Sequence, residues 1–413
     1  MGEMTKKPTV PAIRFKGFTD TWEQCELGAI IQAVQELTSD FENYPLYSLT
    51  IENGVTPKTE RYERSFLITK ETDLFKIVPE QCFVSNPMNL RFGAIGFNDS
   101  GKKVSVSGYY DVFSIDRGEC SNFWCVYLKT ANSLKRFDDV AIGSLIEKRR
   151  VHFSQLTEMS FPAPNMNEKK KLGEFFERLE RLITLHQRKL DKLHKVKRSL
   201  LERMFPRNGA NVPEIRFSGF TDAWEQRKLG EVGKTYSGLS GKTKDDFGHG
   251  EAKFVTYMNV FSNSVCLPNM TEAVEIDDKQ NKVLFGDVLF TTSSETPEEV
   301  GMSSVWLENA ENIYLNSFCF GYRPTKEFNP YYLAYMLRSP SIREKITFLA
   351  QGISRYNISK NKIMDIEIPI PSIVEQKQIG EHFRTLDSLI TLHHRKLEKL
   401  EQIKQAMLHK MFV

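Results

Sequence analysis

Cysteine is scarce in this sequence of 413 residues, and its apolar runs are short. The six cysteines include no Cys-x-x-Cys pair and no spacing suited to zinc, so we expect no metal site. The first residues carry no apolar leader, and no apolar run reaches the length of a bilayer-spanning helix. We therefore expect a soluble, cytoplasmic protein whose thiols are reduced and partly buried.

A large excess of charge is also missing, since the formal net charge is +3. This excludes a polycation of the histone type. Residues 168–207 carry a net charge of +7 and residues 375–413 carry +2, which leaves −6 for the remainder. A nucleic-acid surface outside those two segments must therefore be a local patch. With 40% apolar and 11% aromatic residues, the chain has enough apolar surface for two or more folded domains.

Catalytic motifs are missing as well. Residues 238–243, Gly-Leu-Ser-Gly-Lys-Thr, resemble part of a phosphate-binding loop, but Tyr236 stands where that motif needs its first glycine. This segment either touches a nucleic-acid phosphate or is ordinary surface. Residues 85–89, Ser-Asn-Pro-Met-Asn, lack the second proline and the aromatic residue of an adenine methyltransferase motif. The sequence therefore predicts a chain that binds and organises without catalysis of its own.

Two long repeats are the main feature that the sequence does contain. Pro11–Gly28 and Pro213–Gly230 match at 13 of 18 positions, and Pro162–Phe205 and Pro369–Phe412 match at 22 of 44. Between these repeats the two halves cannot be aligned by eye along most of their length. A period near 200 residues indicates duplicated domains rather than a solenoid. Because similarity is confined to the ends of each half, we infer that the repeated end segments form a retained frame and that the segments between them have diverged.

The retained frame is predicted to be helical, because the longer repeat has one apolar face. A helix of about 38 residues is roughly 57 Å long, which is too long to bury its apolar stripe in a small domain. We predict that the two copies pack as an antiparallel coiled coil. The histidine in the middle of each stripe is interpreted as a packed residue that sets the register. The predicted coiled-coil core comprises Leu172, Leu179, Leu182, His186, Leu193 and Leu200 in the first copy and Ile379, Leu386, Leu389, His393, Leu400 and Met407 in the second.

Proline-bearing segments mark the junctions between the helices and the globular parts. Met159–Pro164 and Ile366–Pro371 precede the two helices, and Phe205–Pro213 is a polar linker. Short β-type runs alternate with turns and helical stretches in each globular part, so we predict an α+β fold. The predicted boundaries are residues 1–163 and 207–370 for the two globular domains and residues 164–206 and 371–413 for the two long helices.

Polar, basic and aromatic side chains that suit DNA contacts cluster in both globular domains. Arg150 and Arg355 begin similar Arg-x-x-Phe/Ile-Ser stretches, and each either contacts phosphate or caps its domain. The candidate DNA-binding residues are Lys58, Arg61, Arg64, Asn86, Asn89, Arg91, Lys102, Lys103, Tyr109 and Arg150 in the first domain and Ser240, Lys242, Lys244, Thr292, Ser293, Ser294, Arg355 and Asn357 in the second.

The whole arrangement resembles the specificity subunit of type I restriction–modification systems. The resemblance rests on the paired PxIRFxGFTDxWEQ starts, the LITLHxRKLxKL helices, the Arg-x-x-Phe/Ile-Ser stretches and the two unlike middles, and it covers essentially the full length. It implies two target recognition domains, each of which reads one half of a split, asymmetric DNA sequence. It also implies that the paired helices set the spacing between the two halves.

The same resemblance implies partners for this chain besides double-stranded DNA. Two modification subunits, which carry S-adenosylmethionine and methylate adenine, would dock on the duplicated frame. Restriction subunits, which use ATP and Mg²⁺, would join them. No cofactor is expected in this chain itself.

Two other functions compete with this one. A non-catalytic adaptor, whose two globular arms bind proteins, is favoured by the acidic balance of the domains. An enzyme with an unrecognised active site is opposed by the missing cofactor loops. Salt-dependent binding to a specific duplex would discriminate, because phosphate contacts impose a steep dependence on salt.

Overall fold

The structure, a computed structural model, describes residues 10–51, 54–58, 74–145, 149–207 and 209–413. The chain divides into two compact units, one of residues 1–186 with 396–413 and one of residues 187–395. The division falls inside both long helices. Each unit mixes strands and helices, which confirms the predicted α+β class.

The globular part of the first unit consists of short strands and short helices. Its strands are β1 (Glu23–Glu26), β2 (Ile31–Ala33), β3 (Leu37–Thr38), β4 (Tyr47–Thr50), β5 (Gly54–Pro57), β6 (Phe75–Val78), β7 (Phe83–Ser85), β8 (Ile95–Phe97), β9 (Val104–Val106), β10 (Asp111–Ile115) and β11 (Ser160–Ala163). Its helices are α1 (Ser121–Tyr127), α2 (Ala131–Val140) and α3 (Phe153–Glu158), and the long helix α4 (Met166–Arg203) follows. The main sheet has the order β2-β10-β7-β8, and a second has the order β3-β6-β9.

The globular part of the second unit is built in a similar way. Its strands are β12 (Glu225–Lys228), β13 (Gly233–Ser237), β14 (Phe247–Val255), β15 (Thr271–Val274), β16 (Val288–Thr291), β17 (Ser293–Ser294), β18 (Ser303–Val305), β19 (Ile313–Leu315), β20 (Cys319–Pro324), β21 (Tyr356–Asn357) and β22 (Glu367–Ile370). Its helices are α5 (Leu229–Val232), α6 (Tyr257–Ser262), α7 (Pro330–Met336), α8 (Pro340–Phe348) and α9 (Lys360–Met364), and the long helix α10 (Ile373–Lys410) follows. The main sheet has the order β13-β20-β16-β18, and a second has the order β15-β14-β19.

The main sheets of the two domains share one antiparallel topology, although the sequences of the two middles do not align. Phe83 lies opposite Phe113 in the first sheet, with ring centroids 5.4 Å apart and planes 8° from parallel. Phe290 lies opposite Phe320 in the second sheet, at 5.1 Å and 11°. All four rings are buried. Aromatic pairs of this kind stabilise a sheet through cross-strand packing, so the two domains have a common core.

The repeated segments at the start and the end of each half pair with each other. β1 lies antiparallel to β11, and β12 lies antiparallel to β22. Pro162 and Pro369 are tolerated there, because neither two-stranded ribbon has an interior strand. The carbonyls of these prolines accept hydrogen bonds from Tyr127 (2.8 Å) and Tyr332 (2.6 Å). In each half, the first repeated segment therefore pairs with the strand that directly precedes the long helix.

The two long helices contact each other within each unit. In the first unit, Glu180 of α4 pairs with Lys404 of α10. In the second unit, Lys197 Nζ of α4 lies 2.5 Å from Asp387 Oδ1 of α10. Near the helix ends, Phe176 packs on Phe412 in the first unit. Because higher numbers on one helix meet lower numbers on the other, the contacts inside each unit run antiparallel.

The buried stripe of each helix contains ten of the twelve predicted core residues but differs from the prediction at the second position of the heptad. Its second core position follows the first by four residues rather than three. Leu182 and Leu389 therefore lie outside the stripe, with 45% and 39% of their surfaces exposed, and their assignment to the core was wrong. The stripe consists of the buried or half-buried residues Leu172, Phe176, Leu179, Ile183, His186, Leu190, Leu193, Lys197, Leu200 and Met204 in the first copy and Ile379, Phe383, Leu386, Ile390, His393, Leu397, Leu400, Lys404, Met407 and Met411 in the second, and Phe175, Leu201, Ile403 and Leu408 are half-buried beside it.

The six cysteines are divided between the two globular domains. All six cysteines are free, and burial raises the pKa of Cys266 to about 12. Across the part of the chain that the structure describes, no three His, Cys, Asp or Glu side chains are grouped to hold a metal ion. None of the helices in the described ranges has both the length and the apolarity needed to cross a membrane.

Candidate nucleic-acid interface

The first globular domain gathers three of the candidate residues where the central strand β7 ends. Asn86 and Asn89 lie in the turn that follows this strand, and the Asn86 side chain accepts a hydrogen bond from the Met88 backbone at 3.1 Å. The Val151 N–H donates to the carbonyl of Pro87 at 2.9 Å, which brings Arg150 beside the turn. We call Asn86, Asn89 and Arg150 the first edge.

The second globular domain builds the same arrangement where β16 ends. Thr292 follows this strand, and the Ile358 N–H donates to its carbonyl at 3.0 Å. β17 pairs with β21, with Ser293 opposite Asn357. The chain therefore brings Thr292, Arg355 and Asn357 together, and we call these three residues the second edge.

Both edges are fixed by the same backbone contacts. Arg150 and Ile142 exchange two backbone hydrogen bonds of 2.9 Å, and Asn357 and Gln351 exchange two of 2.8 and 2.9 Å. The next residue but one, His152 or Ser359, is the N-cap of α3 or α9. Arg150 therefore corresponds to Asn357.

Arg150 and Arg355, which begin the two similar stretches, do not occupy equivalent positions in the fold. The residue equivalent to Arg150 is Asn357, two residues after Arg355. The two Arg-x-x-Phe/Ile-Ser stretches look aligned in sequence, but the helix after them begins at Phe153 in one domain and at Lys360 in the other. A shift of two residues keeps the same side chains inside and outside a strand, which is why the pattern misled.

An exposed aromatic ring adjoins the second edge. Phe318 exposes 57% of its surface, and the Arg355 guanidinium lies 5.9 Å from the centre of its ring. The hydroxyl of Thr292 donates to the Phe318 carbonyl at 2.8 Å, which ties the ring to the edge. Ile353, in the same loop as Arg355, is 96% exposed. A cation over an open aromatic face suits contact with phosphate and base together.

Sequence reasoning missed Phe318 and the common sheet. Phe83 and Phe290, and likewise Phe113 and Phe320, are separated by 207 residues, which is also the offset between the long helices. That shared offset was the available signal. An isolated exposed ring such as Phe318 gives no comparable pattern.

The two serines of the second domain that were candidates are largely covered. Ser293 and Ser294 expose only 4% and 8% of their surfaces. The Ser294 hydroxyl donates to Glu299 at 3.2 Å. Their backbones hold the second edge, but their side chains offer little to a ligand.

The loop that resembles a phosphate-binding loop is held by its own domain. Gln280 donates to the Ser240 carbonyl at 3.0 Å, and Lys242 Nζ lies 3.1 Å from Asp277 Oδ2. The side chain of Lys242 is only 12% exposed. Hydrogen bonds from Gln280 and then from Lys242 lower the pKa of Asp277 to about 2. Of the candidates in this loop, Ser240 and Lys244 are exposed.

The remaining candidates of the first domain are scattered. Arg91 lies 3.1 Å from Asp138 and is 8% exposed, so it holds α2 rather than offering a contact. Lys103 lies 3.8 Å from Glu36, and Tyr109 is 88% exposed. Lys102 is exposed and Lys58 is half-buried. Arg61 and Arg64 lie outside the described residues.

The second half of the chain matches a known protein family. Residues 221–402 match the family described as the type I restriction modification DNA specificity domain. A chain named as the type I restriction enzyme MjaX specificity subunit, from Methanocaldococcus jannaschii, is 22% identical over 321 residues, which cover 71% of this chain and 68% of that one.

Two solved structures share the fold. The S subunit of a type I restriction–modification system from M. genitalium has a TM-score of 0.54 and 14% identity, over 98% of this chain and 99% of its own. A chain of a type I restriction–modification system, solved to explain complex assembly and conformational transition, has a TM-score of 0.50 and 16% identity, over 95% of this chain and 97% of its own.

The matched DNA specificity domain spans the second globular domain and most of α10, and the fold shared with the M. genitalium S subunit extends over nearly the whole chain. The resemblance predicted from the repeats is confirmed. Residues 221–402 carry a type I restriction modification DNA specificity domain, and the chain over most of its length is similar to a specificity subunit of a type I restriction enzyme.

Proposed function

We propose that this chain recognises a specific DNA target within a type I restriction–modification complex. The observation that supports the proposal is that the first edge and the second edge occupy equivalent positions in the two globular domains. The same sheet ends in the same backbone contacts in both globular domains, yet the side chains presented there differ. A recognition surface that must read two different words needs this combination of a constant scaffold and variable side chains.

Each globular domain reads one half of a bipartite, asymmetric target in this proposal. The first edge presents Asn86, Asn89 and Arg150, and the second presents Thr292, Arg355 and Asn357. Amide, hydroxyl and guanidinium groups are the ones that pair with base edges in the major groove. Because the two sets differ, the two half-sites differ.

The long helices act as a frame that sets the distance between the half-sites. Their antiparallel contacts inside each unit support pairing as a coiled coil, with Lys404 and Glu180 in one unit matched by Lys197 and Asp387 in the other. One helical turn more or less would change the separation by about 5.4 Å. Half-site spacing on DNA is sensitive to such a change, because the groove that faces the protein rotates along the duplex.

The chain is proposed to work without catalysis of its own. Two modification subunits, which would carry S-adenosylmethionine, dock on the duplicated frame, since a duplicated surface suits two copies of one partner. Restriction subunits, which would use ATP and Mg²⁺, join the same complex. The partners also supply much of the surface that contacts phosphates, because this chain outside its long helices carries a negative net charge.

Exchanging one globular domain tests this function. Residues 27–155 are replaced by the corresponding segment of another family member, and methylated adenines are mapped genome-wide in cells that carry the complete system. We expect one half of the methylated sequence to change and the other half to stay the same. The matched control replaces residues 230–362 and should change the opposite half. A change in both halves after either exchange would contradict the assignment of one domain to one half-site.

A further inference from the structure

Arg150 and Asn357 occupy the same position in two domains whose sequences do not align. We propose that this position determines specificity, and that Arg150 reads a guanine in one half of the DNA target while Asn357 reads an adenine in the other. The inference rests on the proposed function and deepens it by naming the bases.

The direction of these side chains follows from the strand geometry. Successive side chains of an extended segment point to opposite faces. Val151 and Ile358, the next residues, are buried at 2% and 6% exposure in their domains. Arg150 and Asn357 therefore point outward, and both are exposed.

The backbone at this position is held from three sides. A pair of backbone hydrogen bonds joins each residue to its neighbouring segment, the following N–H donates to the turn after the central strand, and a helix begins shortly afterwards. Base recognition needs a side chain that starts from a fixed point, because a mobile anchor loses the geometry of two simultaneous hydrogen bonds.

The side chains here are also less engaged than those of the other candidates. Arg91 and Lys242 are largely buried in ion pairs with Asp138 and Asp277. Arg150, by contrast, forms no ion pair with any residue that the structure describes. Asn357 makes one long hydrogen bond, 3.5 Å, to the Arg355 carbonyl.

The chemistry of the two side chains selects the bases. Arginine donates two hydrogen bonds to O6 and N7 of guanine, and asparagine pairs with N6 and N7 of adenine. A phosphate contact from Arg150 would instead be blind to sequence and would lower the affinity for all duplexes alike. The two roles therefore predict different outcomes for the same substitution.

The test is a selection from random duplex DNA. The chain is tagged at its own locus and purified with the proteins that it binds in its own cells, and the complex selects from a library of random duplexes. The wild type is compared with Arg150→Asn and Asn357→Arg. We expect Arg150→Asn to lower the preference for guanine at one position by about 10- to 100-fold. Asn357→Arg should change the preferred base at one position in the other half.

Two control variants separate base reading from charge. Arg150→Lys keeps the charge but loses the planar pair of donors, so it should also weaken the guanine preference. Lys244→Asn removes an exposed cation of the second domain that lies outside the second edge, and it should leave every preferred base unchanged.

Two results would overturn the inference. If Arg150→Asn weakens binding equally for every sequence, Arg150 is a phosphate contact. If the wild type selects a bipartite sequence and both exchanges leave every preference intact, the position does not determine specificity, although the proposed function stands. If the wild-type complex selects no sequence at all, the proposed function itself fails, and this inference fails with it.

Discussion

In each half of the chain, one buried glutamate at the start of the long helix binds an arginine of the repeat that begins that half. Arg14 donates two hydrogen bonds to Glu168, and Arg216 donates two to Glu375, with donor–acceptor distances between 2.6 and 2.9 Å. Each glutamate side chain is 1% exposed. The second site has one more donor, because Trp224 Nε1 lies 3.1 Å from Glu375. The equivalent nitrogen of Trp22 has no acceptor among the described residues.

Removing the charge of these glutamates should cost stability unequally. We expect Glu375→Gln to lower the free energy of unfolding of the second unit by about 3–5 kcal/mol, because it leaves a largely buried arginine without its ionic partner. Glu168→Gln should lower that of the first unit by about 1 kcal/mol less, since no tryptophan hydrogen bond to a charged acceptor is weakened there. Hydrogen exchange in increasing urea, read separately for Pro11–Gly28 and Pro213–Gly230, measures both losses. Equal losses would contradict the extra hydrogen bond.

A surface variant serves as the control for this comparison. Glu381 pairs with Arg384 on α10, and both side chains are about half exposed. Glu381→Gln should therefore change the free energy of unfolding by less than about 0.5 kcal/mol.

Among the elements, the two long helices show which features of a helix the sequence pattern predicts and which it does not. The repeat predicted long amphipathic helices, and the structure has helices of 38 residues at both places. The phase was not determined by the sequence, because apolar residues stand at both possible positions, as Leu182 and Ile183 do. Only the packing of the partner helix selects the second of each pair. Lys197 joins the stripe because Asp387 lies beside it, which no local pattern signals.

Glutamate substitutions on one helix test the phase directly. Leu193 packs on the buried cluster that contains Ile379 and Leu386. Leu193→Glu should lower the free energy of unfolding by about 2 kcal/mol or more, because it places a charge in an apolar contact. Leu182→Glu, on the exposed side of the same helix, should change it by less than about 0.5 kcal/mol. Urea unfolding followed by circular dichroism at 222 nm measures both, and equal losses would restore the predicted phase.

The candidate site was predicted only where neighbours in sequence are also neighbours in space. The turn at Asn86 and the stretch at Arg150 were both recognised, but their meeting depends on a hydrogen bond between Val151 and Pro87. Arg91 was misjudged because its partner, Asp138, lies 47 residues away. The common sheet escaped notice for the same reason, since the pairing of Phe83 with Phe113 joins distant segments.

For the molecule as a whole, the distribution of charge along the chain bears directly on how the protein would bind DNA. The positive charge lies in the two long repeats, and the remainder of the chain is net negative. A protein that grips DNA mainly through phosphates would carry its positive charge on the reading domains. Here the exposed polar groups of the two edges are few and local, which suits base reading supported by partners. The same acidic balance is what favoured the adaptor alternative.

The salt dependence of DNA binding decides between these two functions. Each phosphate contact adds roughly −0.9 to the slope of log K against log salt concentration. We expect the purified chain to bind its target duplex with a shallow slope, between about −1 and −4, because few cations lie at its edges. The complex purified from its own cells should show a steeper slope, since its partners contribute further phosphate contacts. Fluorescence anisotropy between 50 and 200 mM salt, with a scrambled duplex as the control, measures both.

An adaptor would bind neither duplex, whether as the chain alone or as the complex. A slope near −10 for the chain alone would mean that its own domains make most of the phosphate contacts. That result would contradict the proposal that the partners supply them.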